Sequence, residues 1–319
     1  MSTSEWTAIS SALGGEGWIP RPGALHDEQE TIWSSFGVSS ECGRLRAVVM
    51  RRPGPEIETV TDARAALWNE MPDPVRAREQ HDALAEIYRS YGVQVSYVAD
   101  TSGARPNLYF MRDTFAMTPE GAVLARPASG NRAGEERIAA WTLASLGVPI
   151  VLSVHGHGTF EGADLMIVNN DLAFVAQGRR TNAAGATQVE HLLKEIGWPE
   201  VVRVPLPSDC LHLDCILSLP DRRLALLDAV KSPLVISETL RRHGFCLLEL
   251  PDREEVISRM SVNLVALEPG VVVMPARNPA TRKLLEAAGV TCLEIEISEL
   301  MKGGGAVHCM TGVIQRDGL

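Results

Sequence analysis

Short apolar runs alternate along the chain with turn residues and with longer stretches whose apolar positions recur every three or four residues. The short runs predict strands and the longer stretches predict helices, because a strand turns alternate residues to opposite faces while a helix repeats about every 3.6. One order of elements recurs: strand, turn, strand, helix, strand. The first unit opens at 44–50 and closes at 93–98. The second has strands over 107–111 and 122–125 around a Thr-Pro-Glu-Gly turn, a helix through 139–143 and a strand at 148–151. The third runs 164–168, 172–176, a helix over 186–196 and 201–204. The fourth runs 216–219, 224–227, a helix near 236–242 and 246–250; the fifth runs 263–267, 271–274, a helix over 280–288 and 291–295.

Gly, Pro, Asn and Asp join each strand pair, as tight turns require. The period is about 50 residues over five units, which predicts an α/β propeller of ββαβ repeats rather than two unrelated domains. Residues 1–40, rich in Gly, Pro, Ser and Trp, read as an N-terminal arm, and residues 41–319 as a single catalytic domain. A ring of such units brings the starts of its first strands to a common centre.

Composition narrows the class. Hydrophobic residues are 45% and charged residues 22% of the 319, the balance of a folded protein. The formal net charge is -10 and no run of Lys or Arg tracks a phosphate backbone, which argues against nucleic acid as a partner. No segment is long and apolar enough to cross a bilayer, and the first residues lack the pattern of a secretory signal. The six cysteines are scattered without a CxxC pair, so reduced thiols and a cytoplasmic setting are expected. Homo-oligomerisation stays open.

Residues with catalytic potential stand near the first strand of successive units. They are Asp113, then Glu161 and Asp164, then His212 and Asp214, and finally His308 and Cys309. Asp113 to Glu161 and Glu161 to His212 are each about 50 residues, close to the structural period. Carboxylates converging on the axis suit a planar cation, since they accept paired N–H bonds in the plane of a guanidinium. The central carbon of that group is a poor electrophile. A soft thiolate with a general acid beside it meets the difficulty. Cys309 is then the nucleophile and His212 the acid and base; Asp113 and Asp214 orient the cation, and Glu161 supports His212 or the substrate. Gly303, Gly304 and Gly305 let a loop pass close to the ligand. Asp164 reads equally as a substrate contact or as a carboxylate that holds backbone N–H groups in its turn.

A metal is not expected. His155 and His157 followed by Glu161 and Asp164, and Cys210, His212 and Cys215, have ligand types suited to zinc or iron, but neither spacing matches a defined site. No P-loop or dinucleotide fingerprint is present, so no cofactor is expected either.

Four segments together, Pro106-Asn-Leu-Tyr-Phe-Met-Arg-Asp113, Phe160-Glu-Gly-Ala-Asp164, Leu211-His-Leu-Asp214 and Gly303-Gly-Gly-Ala-Val-His-Cys-Met-Thr311, resemble the guanidino-group-modifying superfamily. Arginine deiminase, dimethylarginine dimethylaminohydrolase and the amidinotransferases are its members. The resemblance covers the chain from about Arg44 onward. It implies a five-bladed propeller, the pentein fold, and covalent catalysis through an S-amidino intermediate on Cys309. It also implies that Asn107, Arg180 and, as a looser match, Arg132 hold the amino-acid end of an arginine-like substrate. The stretch between the first and second units, where arginine deiminases carry a helical insertion, is short here, and His308 precedes the cysteine as in several amidinotransferases. A hydrolase acting on arginine or a relative leads the expectations. Amidino transfer, dihydrolase-like release of ornithine, and a non-catalytic binding ring are the alternatives.

Overall fold

The computed structural model describes residues 13–15, 17–98, 105–250 and 252–319, so most of the expected arm's first half, 1–12 and 16, lies outside the described residues. Five three-stranded sheets make the propeller. In chain order its elements are β1 (Leu45–Met50), α1 (Pro74–Ser90), β2 (Gln94–Tyr97), β3 (Phe115–Thr118), β4 (Gly121–Leu124), α2 (Glu135–Ser145) and β5 (Ile150–Ser153). Next come β6 (Leu165–Asn169), β7 (Leu172–Gln177), α3 (Ala183–Glu195), β8 (Glu200–Pro205), β9 (Leu217–Asp221), β10 (Leu224–Asp228), α4 (Leu234–Arg242) and β11 (Cys246–Leu250). The last are α5 (Arg253–Ser258), β12 (Val265–Glu268), β13 (Val271–Pro275), α6 (Pro279–Ala287), β14 (Thr291–Ile295), α7 (Ser298–Met301) and β15 (Gly312–Arg316).

Within a blade, the first and second strands form an antiparallel hairpin and a helix carries the chain to a third strand parallel to the second. First and second strands are buried on both faces, which is why β6 and β7 read as continuous apolar runs. Third strands such as β5 and β11 are less buried, each with two half-buried residues between exposed ones. Side-chain caps start some of the helices: Asp73 accepts from Val75 N and Arg76 N ahead of α1, and Asn182 accepts from Gly185 N ahead of α3.

Two expectations are corrected. Residues 107–111 are not the first strand of the second blade. They form a buried turn leading to a 3-10 helix at Met111–Thr114, and β3 follows. Burial of Leu108, Tyr109, Phe110 and Met111 explains why that turn looked like a strand. The first blade also has a third member: β15 pairs antiparallel with β1, with Val48 opposite Val313. The chain's last strand therefore fills the first-strand position of its first blade and closes the ring. Residues 36–40 of the expected arm already belong to the fold, since Phe36 and Val38 are buried and Gly37 exchanges backbone bonds with Ile314 and Arg316.

Candidate active site

Each first strand is preceded by a tight turn, and the turns at Met111–Thr114, Gly162–Asp164 and Leu213–Cys215 touch in sequence around the centre. The turn before β15 joins them, because Arg112 N donates to Cys309 O at 3.0 Å. Asp113, Glu161, His212, Asp214 and Cys309 are thereby brought together, all of them buried. A cleft of about 190 Å³ reaches them and is lined by Asn107, Asp113, Arg132, Arg180, His212 and Cys309 among others.

His212 Nε2 donates to Glu161 Oε2 at 2.7 Å, while its Nδ1 stands 3.8 Å from Asp113 Oδ1. Among the described residues neither Nδ1 nor that Oδ1 has a hydrogen-bond partner, although both are buried. Such groups are costly to leave unpaired, so this pair marks a place where a ligand belongs, with Oδ1 free to accept one of its N–H groups. Burial works against a charged ring, but the charge of Asp113 and the bond to Glu161 outweigh it and carry the His212 pKa up to about 10. At neutral pH the ring is an imidazolium and Nδ1 carries a proton. Glu161 is held well below the usual carboxylate range: burial opposes its charge, and the bond from His212 with Arg132 and Arg180 nearby overcomes it.

On the sulfur's side, Cys309 Sγ lies 3.4 Å from Asp214 Oδ2. Burial, then Asp214 and Asp113, push its pKa well above the ordinary thiol value. Asp214 also accepts from His308 Nδ1 at 2.9 Å, and His308 Nε2 is 3.3 Å from Glu41 Oε2. Both ring nitrogens of His308 thus face carboxylates. Burial resists the charge, yet these two bonds raise its pKa. Glu41 accepts in turn from Arg112 at 2.8 Å. His308, Glu41 and Arg112 form a buried charged chain behind the sulfur that sequence reasoning did not assign.

The expected substrate contacts divide. Arg180 is partly exposed in the cleft and places Nη1 3.1 Å from both oxygens of Glu161. Arg132 is buried and engaged: it bonds Asp113, donates to Glu135 Oε2 at 2.9 and 2.7 Å, and reaches Asn107 O. Here it orders Asp113 rather than reaching outward. Asn107 spends its amide on the loop before α1, accepting from Trp68 Nε1 and donating to Ala66 O, both at 2.7 Å. Asp164 accepts from Thr181 Oγ1 at 2.6 Å and Leu213 N at 3.1 Å, and lines none of the cleft. Of its two readings the backbone-holding one fits: it pins the segment carrying His212. Asp164→Ala is expected to cost roughly 3 kcal/mol, since it leaves two buried donors unpaired. A urea unfolding curve checks this, and a midpoint equal to wild type would contradict it.

The glycine run serves the aromatic neighbours. A Cβ on Gly303 would overlap the Tyr109 hydroxyl, and one on Gly305 would lie 2.6 Å from Phe110 Cε1. Asp113, Glu161 and His212 hold their donor atoms within 4.8 Å of one another, close enough to ligate an ion. However, Arg132 and Arg180 already place positive charge on the same two carboxylates. His155 and His157 are exposed and do not join this group.

A family model described as N,N dimethylarginine dimethylhydrolase, eukaryotic, matches residues 66–316. The N(G),N(G)-dimethylarginine dimethylaminohydrolase of Pseudomonas aeruginosa is 28% identical over 243 residues, covering 75% of this chain and 89% of that protein. The arginine deiminase of Rhodococcus erythropolis is 24% identical over 398 aligned positions, covering 89% of this chain and 98% of that one. Among solved structures, the dimethylarginine dimethylaminohydrolase of Pseudomonas aeruginosa complexed with citrulline superposes with a TM-score of 0.70 at 25% identity, covering 85% of this chain and all of the other.

Proposed function

Because the chain belongs to the N,N-dimethylarginine dimethylhydrolase family, among the enzymes that modify guanidino groups, we propose that it hydrolyses the guanidino C–N bond of arginine or an N-methylated arginine through a covalent bond to Cys309. The observation that carries this reading is the unpaired facing couple of His212 Nδ1 and Asp113 Oδ1 in the cleft that Cys309 lines. A guanidinium donates in its plane, so one N–H meets Asp113 Oδ1 and the nitrogen due to depart lies at His212 Nδ1.

The sequence of steps follows from charge. A thiol raised by burial and two carboxylates is neutral at rest. Arrival of a cation beside Asp113 and Asp214 offsets their charge, and the thiol proton passes to solvent water, leaving the thiolate. The sulfur then bonds to the guanidino carbon. As the C–N bond breaks, the proton on His212 Nδ1 passes to the departing amine. The neutral ring next takes a proton from water, whose oxygen adds to the same carbon, and the C–S bond breaks to release a urea product. Glu161 keeps the ring oriented through both transfers. Arg180 is the residue we assign to the substrate's carboxylate.

Incubation with L-arginine, with Nω,Nω-dimethylarginine, and with arginine plus glycine tests the reading. Citrulline is expected, accompanied by ammonia from the first and dimethylamine from the second. Ornithine with guanidinoacetate would mean transfer, and ornithine with ammonia and carbon dioxide a dihydrolase. Failure to turn over any of these guanidines would overturn the proposal.

A further inference from the structure

We infer that Asn263 is a catalytic residue: its side-chain N–H group is the donor that solvates the sulfur of Cys309 when the thiol ionises. The inference rests on the reading of Cys309 as the nucleophile and adds to it a group that no comparison or motif assigns.

Geometry fixes the orientation of the amide. Asn263 Oδ1 accepts from His308 N at 2.9 Å and from Cys309 N at 3.3 Å. With the oxygen held by two backbone donors, the NH2 group must be the end that faces the sulfur, and Nδ2 lies 3.2 Å from Cys309 Sγ. A second contact of Nδ2, to Asp214 O at 3.4 Å, holds the same orientation. The residue is buried, between buried Val262 and Leu264, and its own N–H bonds to Met260 O at 3.0 Å. It is therefore preorganised, and its position does not depend on a ligand.

Chemistry supplies the reason. The other polar side chain on the sulfur is the carboxylate of Asp214, which accepts the S–H proton but repels a thiolate. Once the proton has gone, the Asn263 N–H is the side-chain donor in contact with the new charge. A fixed donor in a water-poor site stabilises developing charge more than it would in water.

The repeat agrees. Asp113, Asp164, Asp214, Asn263 and Cys309 follow one another at intervals of 51, 50, 49 and 46 residues, each in the turn before a first strand. Three units place a carboxylate there, and the fourth position of the series carries an amide. A carboxylate at 263 would set a second negative charge against the sulfur beside Asp214. The amide keeps the acceptor that shapes the nucleophile's turn and replaces the charge with a donor.

Asn263→Asp separates these two jobs, because it retains an acceptor for the backbone of His308 and Cys309 and loses the donor. Asn263→Ser is its uncharged companion, too short to reach the sulfur. The measurements are steady-state turnover, the unfolding midpoint, and the pH dependence of iodoacetamide alkylation at Cys309, followed by mass spectrometry of its peptide. For both variants kcat is expected to fall roughly 100-fold, by analogy with removal of one oxyanion donor. KM should stay within about threefold of wild type, because the interaction is made with the enzyme's own sulfur. The alkylation midpoint should move to higher pH in both, further in the Asp variant. A wild-type alkylation profile in both folded variants would overturn the inference and reduce Asn263 to a scaffold for the turn. Alkylation is read without substrate, so it is independent of whether Cys309 is the nucleophile; that reading stands or falls on turnover by Cys309→Ala.

Discussion

Cys309→Ala is expected to lower turnover of every guanidino substrate by about 10⁴-fold or more while leaving the protein folded and able to bind. The size follows from what the sulfur alone supplies. Without it no covalent intermediate forms, and loss of a nucleophile costs as much as loss of its whole catalytic group. The fold should tolerate the change. The side chain is small and buried, and its polar contacts are Asn263 Nδ2 and Asp214 Oδ2. Asn263 Nδ2 keeps Asp214 O as an acceptor, and Asp214 keeps His308. A stability cost near 1 kcal/mol is in line with a modest large-to-small change. Binding should tighten if anything, because the substrate cation no longer has to be matched by loss of the thiol proton. Titration calorimetry with arginine on the Ala variant, paired with a citrulline assay, measures both. Residual activity above about one per cent of wild type would remove covalent catalysis by this residue.

Much of this arrangement was legible because repetition amplifies weak signals. The bounds of β11 and β14 coincide with those read from alternation and turn residues alone. The helices of the second to fifth units fall within a few residues of their predicted positions, since capping groups such as Asn182 sit outside the apolar period. What escaped depended on partners remote in the chain. The run Gly312–Arg316 opens on Gly and closes on Gln and Arg, so it does not stand out as a strand, and its partner β1 lies at the other end of the sequence. Asn263 looked like an ordinary residue at the start of a strand, because the His308 N–H that donates to it and the sulfur it donates to lie 45 and 46 residues away. The spacing of Asp113, Asp164 and Asp214 was a signal that could have found it. Asn107 and Arg132 illustrate the opposite limit. A motif names the residue, but whether its hydrogen bonds are free is settled by neighbours such as Trp68 and Glu135. Likewise Glu41 gains its place only because Arg112 and His308 close on it across the ring.

Glu161→Gln is expected to cut kcat by about 10²- to 10³-fold and to shift the alkaline limit of activity downward, for one electrostatic reason. His212 must be protonated on Nδ1 to release the amine, and the pKa of about 10 that keeps it so depends on Asp113 and Glu161 against the opposing effect of burial. A neutral amide at 161 still accepts a hydrogen bond but withdraws a full negative charge from 2.7 Å. The ring then loses its proton at lower pH, and the fall in kcat/KM on the alkaline side begins earlier. Stability follows the same couple with a definite sign. The His212 pKa is raised by folding, so its contribution is complete below its ordinary value of about 6.5 and disappears as pH climbs through about 10. The Glu161 pKa is lowered, so its contribution is complete above the ordinary carboxylate range and is lost as pH falls from that range down through its depressed folded value. The free-energy gap between wild type and Glu161→Gln should therefore be widest between roughly pH 5 and 6.5 and shrink toward both extremes. Urea unfolding of both proteins at a series of pH values reads that gap directly. A gap that stays constant from pH 5 to pH 10 would mean that Glu161 does not hold His212 in its charged form, and the proton carried by Nδ1 would need another source.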